Sequence, residues 1–506
     1  MKFNTKAKGS NQITNYEGAP AYKISATLEL YTAVVTTSLS KTFYEGDGLK
    51  RIARLRELIK KNDPLFVAQL AVYAREKMYL RSVPLVLVVE LAKVHNGDDL
   101  ISRLVSRVVK RADEIAELLA YYQAANQRQG TKKLNRLSKQ LQRGLALAFN
   151  KFDEYQFAKY NRPNEVKLRD ALFLVHPKAK DDAQQSLFDK IVNDGLEIPY
   201  TWETQLSELG QQKFANDSEK ASAFRAKWQE LIDSQRLGYM ALMRNLRNML
   251  EAGISTEHLA KVATRLSDPA QVARAKQLPF RFLSAYRELK SVKSPRVSKV
   301  LEALEAAILA STQNLKGFDE NTDVLIACDT SGSMCGPISP RSSVQMYDIG
   351  LVLGMLLQSN CQSVMSGIFG DRWKIINLPR KQVLANADAL RNRMGEVGYS
   401  TNGYLVIKDL IKRKQKVDKV MIFTDCQLWN SHYSGESIAK YWAQYKKIAP
   451  NAKLYLFDLA GYGQSPLEIK KDDVALIAGW SDKVFEILEA LENGQSAVSE
   501  IKNTVI

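Results

Sequence analysis

Apolar residues recur every three or four positions along most of the first 310 residues, a spacing that lays them along one side of an α-helix. The pattern predicts helices over 49–61, 64–77, 84–94, 100–123, 134–149, 166–175 and 186–194. It resumes over 219–234, 239–251, 256–265, 269–277, 280–289 and 295–310. Asn62-Asp63-Pro64 and Ser267-Asp268-Pro269 mark two of the starts, because proline in a first helical turn sacrifices no hydrogen bond. Short helices joined by brief turns predict an α-solenoid of paired helices; a single globular bundle is the other arrangement the pattern permits.

Beyond about residue 315 the rhythm changes. Strand-like runs at 324–329, 364–369, 373–378, 419–425 and 453–459 alternate with helical runs at 344–358, 381–394, 404–412, 437–448 and 482–491. Alternation of that kind predicts βαβ units and a mostly parallel, doubly wound α/β sheet. The run 324–328 is continuously apolar, as expected of a strand covered by helices on both faces. The chain is therefore expected to be multidomain, with a helical-repeat part over 1–315 and an α/β part over 316–506.

The candidate chemistry lies where that first strand ends. Asp329-Thr330-Ser331-Gly332-Ser333 offers one carboxylate and two hydroxyls at alternate positions. Oxygen donors alone suit a hard divalent cation such as Mg²⁺ better than zinc or copper. A Ser-rich turn capping the next helix is the competing reading. Thr401, in a glycine-containing loop before helix 404–412, and Asp425, at the end of strand 419–425, sharpen the choice. In an open α/β sheet, ligand sites gather at the carboxyl ends of strands, so Asp329, Thr401 and Asp425 are expected to converge. No Cys/His dyad, paired-acid site, Walker loop or nucleotide fingerprint is evident, so a noncatalytic protein is expected.

Composition narrows the partners. A net charge of +17 over 506 residues, with pI near 9.4, favours a polyanion, with nucleic acid ahead of a membrane surface. Lys132, Arg136, Lys139 and Arg143 share one helical face opposite Leu134, Leu137, Leu141 and Leu145. Arg103, Arg107 and Lys110 repeat the stripe one helix earlier. Such a stripe is either a solvated face or a bed for phosphates, whose binding would release counterions. Cys328, Cys335, Cys361 and Cys426 show no C-x-x-C spacing, and no signal peptide or spanning run is present. Free thiols, a cytoplasmic location and no membrane association are expected.

Two resemblances give these patterns names. Asp329, Ser331, Ser333, Thr401 and Asp425 together resemble the metal-ion-dependent adhesion site of von Willebrand factor A-type domains. That likeness implies direct coordination by the hydroxyls and contact by the carboxylates mostly through water. The loop Tyr399-Ser400-Thr401-Asn402 stands where relatives often have Gly-Gly-Thr-Asp. The run 66–92, with Arg75, Lys77 and Arg81, resembles the helix pair of TROVE modules, as do 144–148, Lys159-Tyr160 and 167–178. A TROVE module followed by an A-type domain is similar to the Ro ribonucleoprotein family, in its bacterial form. The family implies HEAT-like repeats closed into a basic ring that takes single-stranded ends of misfolded noncoding RNA. It implies a small Y-like RNA on the outer surface, cooperation with exoribonucleases, and a monomer. His176 matches the family's RNA-binding histidine and Lys159 a basic contact; the next basic position falls at Pro163, beside Arg162. For His176 a local role at a helix end stands level with RNA contact. Arg75, Lys77 and Arg81 are further candidates from the shared run. A metal-dependent protein-interaction scaffold without direct RNA binding is the alternative function.

Overall fold

A computed structural model describes the chain apart from residues 1–10, 38–46, 127–136, 162–164, 313–317, 340–341, 430–434 and 471–472. The chain divides into two compact units, 38–262 with 501–506, and 1–37 with 263–500. The helical stretch expected to run to residue 315 thus changes allegiance near residue 263. Helix Val297–Ser311 shows why. Its Glu305 carboxylate accepts the backbone N–H groups of Val383, Leu384 and Ala385 at 2.9, 3.1 and 2.7 Å. A carboxylate from one helix satisfies the orphan donors of another, tying the two together.

In the first unit, helices pack mainly on near neighbours in sequence. Asp63 caps helix Pro64–Glu76, its side chain accepting from Phe66 N at 3.0 Å, and Asp268 does the same for Pro269–Ala275 in the other unit. Helices Leu100–Val108 and Lys139–Phe149 approach unusually closely at Gly144. A Cβ there would lie 2.6 Å from Val105 Cβ and 2.9 Å from the Ser102 carbonyl oxygen. The single helix expected over 100–123 is two, Leu100–Val108 and Asp113–Ala125. Glu114 explains the break: its buried carboxylate accepts from Lys110 N at 2.8 Å and Arg111 N at 3.1 Å. Those amides are drawn out of the helical ladder although the apolar spacing continues through them.

The second unit holds a six-stranded sheet. Its strands are β3 (Asp323–Asp329), β4 (Ser363–Phe369), β5 (Trp373–Ile375), β6 (Lys419–Thr424), β7 (Lys453–Asp458) and β9 (Val474–Ala478). They lie in the order β5-β4-β3-β6-β7-β9, all parallel except the edge strand β5. The doubly wound sheet expected from the alternating pattern is present, and β9 adds a strand the pattern did not mark. Helix Met346–Asn360 lies against β3, where a Cβ on Gly354 would meet Cys328 Sγ at 2.7 Å. Phe423 of β6 and Phe457 of β7 stack at 4.2 Å between ring centroids. All four cysteines are free thiols.

The N-terminus belongs to this unit as well. Strands β1 (Gln12–Thr14) and β2 (Pro20–Lys23) form a hairpin that pairs with β8 (Gln464–Ser465) in a small antiparallel sheet. Helix Ala26–Val35 follows, and its Tyr31 hydroxyl donates to the Ala478 carbonyl at 2.9 Å. Among the described residues no helix is long and apolar enough to cross a membrane.

Candidate cation site and basic surface

The order of the sheet creates the site. β4 lies on one side of β3 and β6 on the other, so the chain departs in opposite directions from their carboxyl ends. The loops there must part, leaving a crevice. Asp329, the last residue of β3, and Asp425, just after β6, flank it, and both are buried.

Hydrogen bonds hold each donor in place. Asp329 accepts from the Ser331 amide at 2.9 Å through Oδ1 and from the Thr424 hydroxyl at 2.7 Å through Oδ2. The Ser331 and Ser333 hydroxyls lie 3.2 Å apart. Asp425 Oδ1 accepts from Gln427 N at 2.9 Å, while its Oδ2 is buried without a hydrogen-bond partner. Thr401 Oγ1 accepts from Trp429 N at 2.8 Å, joining its loop to the one that follows Asp425. Gly332 N donates to the Tyr399 carbonyl at 2.8 Å, joining that same loop to the Asp329 turn. All five predicted donors therefore lie on three loops laced together at one end of the sheet. Thr424, which orients Asp329, escaped the sequence reading, although its place beside the strand-end aspartate was a signal.

The electrostatics are unusual. Burial, and then the neighbouring charge of Asp425, push the Asp329 carboxyl up to about 7 against the hydrogen bonds from Ser331 and Thr424. Asp425 is likewise raised, by burial first, with the Gln427 amide opposing the shift. Among the described residues, no basic side chain pairs with either carboxylate. Nor do three His, Cys, Asp or Glu side chains gather as a cluster, so hydroxyls would have to supply the remaining donors. Two buried carboxylates, three hydroxyls and one unsatisfied carboxylate oxygen match the oxygen-only demands of a hard divalent cation.

The predicted basic residues fall into three groups. Lys132, Arg136 and Arg162 lie outside the described residues. Lys139 and Arg143 are exposed one turn apart on helix Lys139–Phe149, and among the described residues no carboxylate pairs with them. Lys159 stands 5.4 Å from the Tyr155 ring and 5.7 Å from the Tyr160 ring. His176 ends helix Leu168–Val175 in a left-handed conformation at φ 50°, its amide bonded to the Leu172 carbonyl at 2.9 Å. That bond uses only the backbone, and the side chain is exposed. Arg169 and Phe173 share the exposed face with His176, the guanidinium 5.8 Å from the phenyl centroid.

Arg75 and Arg81 are spent elsewhere. Arg75 reaches the buried Glu114 at 2.6 Å, and Arg81 reaches Asp113 and Glu117, both at 2.7 Å. Their guanidinium groups fasten helices Pro64–Glu76 and Ser82–Val94 to helix Asp113–Ala125, which gives both a packing role.

Comparison with known proteins supplies the family. The model described as the TROVE domain matches residues 45–223 and 193–322, together more than half of the chain. The chain belongs to the TROVE domain family. Curated TROVE relatives include Telomerase protein component 1 of Mus musculus and of Rattus norvegicus, each 39% identical over 104 residues. That match takes in 21% of this chain and only 4% of either relative's length. Among solved structures, the crystal structure of Deinococcus radiodurans RO (RSR) protein shares the fold, with a TM-score of 0.58. It is 19% identical, and the match covers 93% of this chain and 100% of that one.

Proposed function

We propose that this TROVE protein is a noncatalytic RNA-binding scaffold that takes small noncoding RNAs by shape and phosphate charge. Family membership supports the RNA reading. The observation that carries it is the set of exposed cations at Lys139, Arg143 and Arg169, none of them neutralised by a carboxylate among the described residues. Leaving like charges together is unfavourable unless an anion arrives. An RNA backbone is such an anion, and the exposed His176 and the Lys159–Tyr160 pair add groups suited to stacking and phosphate contact. In this reading HEAT-like helical repeats close into a ring that threads the single-stranded end of a misfolded RNA. A Y-like RNA lies on the outer surface, and an exoribonuclease works with the monomeric, cytoplasmic protein.

The second element of the proposal is a von Willebrand factor A-type site that binds Mg²⁺ through Ser331, Ser333 and Thr401, with Asp329 and Asp425 in support. Its supporting observation is the pair of buried carboxylates without a basic partner among the described residues. A cation held there offers residual charge to an acidic group of a protein partner.

Fluorescence titration of two labelled RNAs, a hairpin with a single-stranded tail and the same hairpin blunt, tests the RNA reading across salt concentrations. Tighter binding of the tailed RNA, with log affinity falling linearly against log salt, is the expected result. No RNA binding, alongside capture of a protein partner that survives nuclease and is lost on chelation, would favour a protein-interaction scaffold.

A further inference from the structure

Helix Leu168–Val175 leaves an aromatic ring in water. Phe173 is 48% exposed, although Leu168, Ala171 and Val175 bury the opposite side of the same helix. Arg169, Phe173 and His176 share one face, because steps of four and then three residues return to the same side. The Arg169 guanidinium lies 5.8 Å from the Phe173 ring centroid, within reach of a cation–π attraction. Past the helix exposure alternates: His176, Lys178 and Lys180 are exposed, whereas Pro177 and Ala179 between them are half-buried. Among the described residues no carboxylate pairs with Arg169, Lys178 or Lys180.

Two side-chain amides fix this face. Gln142 Nε2 donates to the Val175 carbonyl at 3.2 Å, satisfying an orphan acceptor at the helix end. That bond holds helix Lys139–Phe149, with its exposed Lys139 and Arg143, against the end that carries His176. Asn150 Nδ2, just past the same helix, donates to the Lys178 carbonyl at 2.8 Å and anchors the lysine-bearing segment. Phosphate binding accounts for the lysines and arginines. It gives no reason for a phenyl ring among them, whereas a base, with its π-face, does.

We infer that Phe173 is a stacking platform for an unpaired nucleobase, with Arg169 beside the ring and Lys178 and Lys180 taking the flanking phosphates. The inference rests on the RNA reading proposed above and names what this surface prefers: a duplex interrupted by an unpaired base. A paired base hides its face against its neighbours, and only an extruded one can lie on a side chain. A guanidinium plane stacks on bases as an aromatic ring does, so Arg169 widens the platform. Backbone anchored beforehand at Val175 and Lys178 loses little freedom on binding.

Fluorescence titration of the full-length chain tests this with three blunt hairpins: fully paired, bulged, and bulged with the bulge abasic. Wild type should bind the bulged hairpin ~10-fold more tightly than the other two, the typical worth of one stacked base. Phe173→Ala should erase that preference without changing the slope of log affinity against log salt, because no charge is lost. Phe173→Trp should keep it. Lys178→Ala with Lys180→Ala should instead lower the slope by roughly 1.5 for all three hairpins. Equal binding of the bulged and abasic-bulged hairpins by wild type would overturn the stacking role and leave the RNA reading standing, with no variant needed. A preference for the bulge that survives in Phe173→Ala would also overturn it, placing the base on another side chain. Binding of none of the hairpins would remove both readings.

Discussion

Two stretches of the helical unit carry similar numbers of cations and treat them differently. Between residues 75 and 117, Arg75, Arg81, Arg107, Lys110 and Arg111 each meet a carboxylate of Glu76, Asp113, Glu114 or Glu117. Between 139 and 176, Lys139, Arg143 and Arg169 meet none among the described residues. The first set is neutralised within the unit: Arg75 and Arg81 tie helices together through partly buried pairs, while Arg107, Lys110 and Arg111 form more exposed ones. The second set has been left for something outside the unit. Basic residues in a sequence look alike, and only their partners separate cement from binding surface. The sheet unit offers the mirror image, with Asp329 and Asp425 buried and lacking a basic partner among the described residues.

Breaking the cement should have the largest effect. Arg75→Ala leaves the buried Glu114 with only the longer guanidinium contact, to Arg81 Nε at 3.4 Å, and should destabilise the protein by ~3 kcal/mol in urea denaturation. RNA affinity of the folded variant should be unchanged; a selective RNA defect would return Arg75 to the binding surface. In the sheet unit, Asp329→Asn should abolish Mg²⁺ binding by calorimetry while RNA affinity holds. An RNA defect in that variant, with a normal melting curve, would undo the separation of the two sites.

Removing the unpaired set should cost binding rather than stability. Lys139→Ala with Arg143→Ala should weaken RNA binding and lower the slope of log affinity against log salt by roughly 1.5, the share of two phosphate contacts. An unchanged slope would make that face merely solvated. The smallest effect concerns Lys151, whose amine donates to the Ser106 carbonyl and lies 3.4 Å from that of Val109. Burial first, then the charges of Lys110 and Arg107, lower its pKa to about 8. Between pH 8 and the ordinary lysine range the unfolded chain holds more protons, so Lys151 adds stability as pH rises through that window. Melting curves of Lys151→Met should lack that rise; an identical rise in the variant would assign it to other groups.

Much of this arrangement was legible beforehand. The capped starts at Asp63-Pro64 and Asp268-Pro269 were visible because a cap and its helix are neighbours in sequence. The five residues of the proposed cation site were visible because a strand-end aspartate and its following hydroxyls carry a spacing that topology then makes meaningful. The break at 109–112 was hidden, since apolar spacing passes through it and Glu114 decides it by capturing two amides. Strands β1 and β2, at three and four residues, are too short to show a period. They exist through pairing with β8 and a bond from Asn15 to Leu428, 413 residues away.

Local spacing alone therefore determined that the chain would be helix-rich at first and α/β later, that it would be strongly basic, and where oxygen donors would cluster. Period and charge are written into neighbouring residues, and they need no partner to be read. Tertiary structure alone decided that Arg75 and Arg81 pair with carboxylates of another helix, that the helices after residue 263 join the sheet, and that the N-terminal hairpin turn is bonded to the segment after Asp425. Burial and pairing are properties of segments brought together from afar, and the free energy of a charge depends on what it then faces.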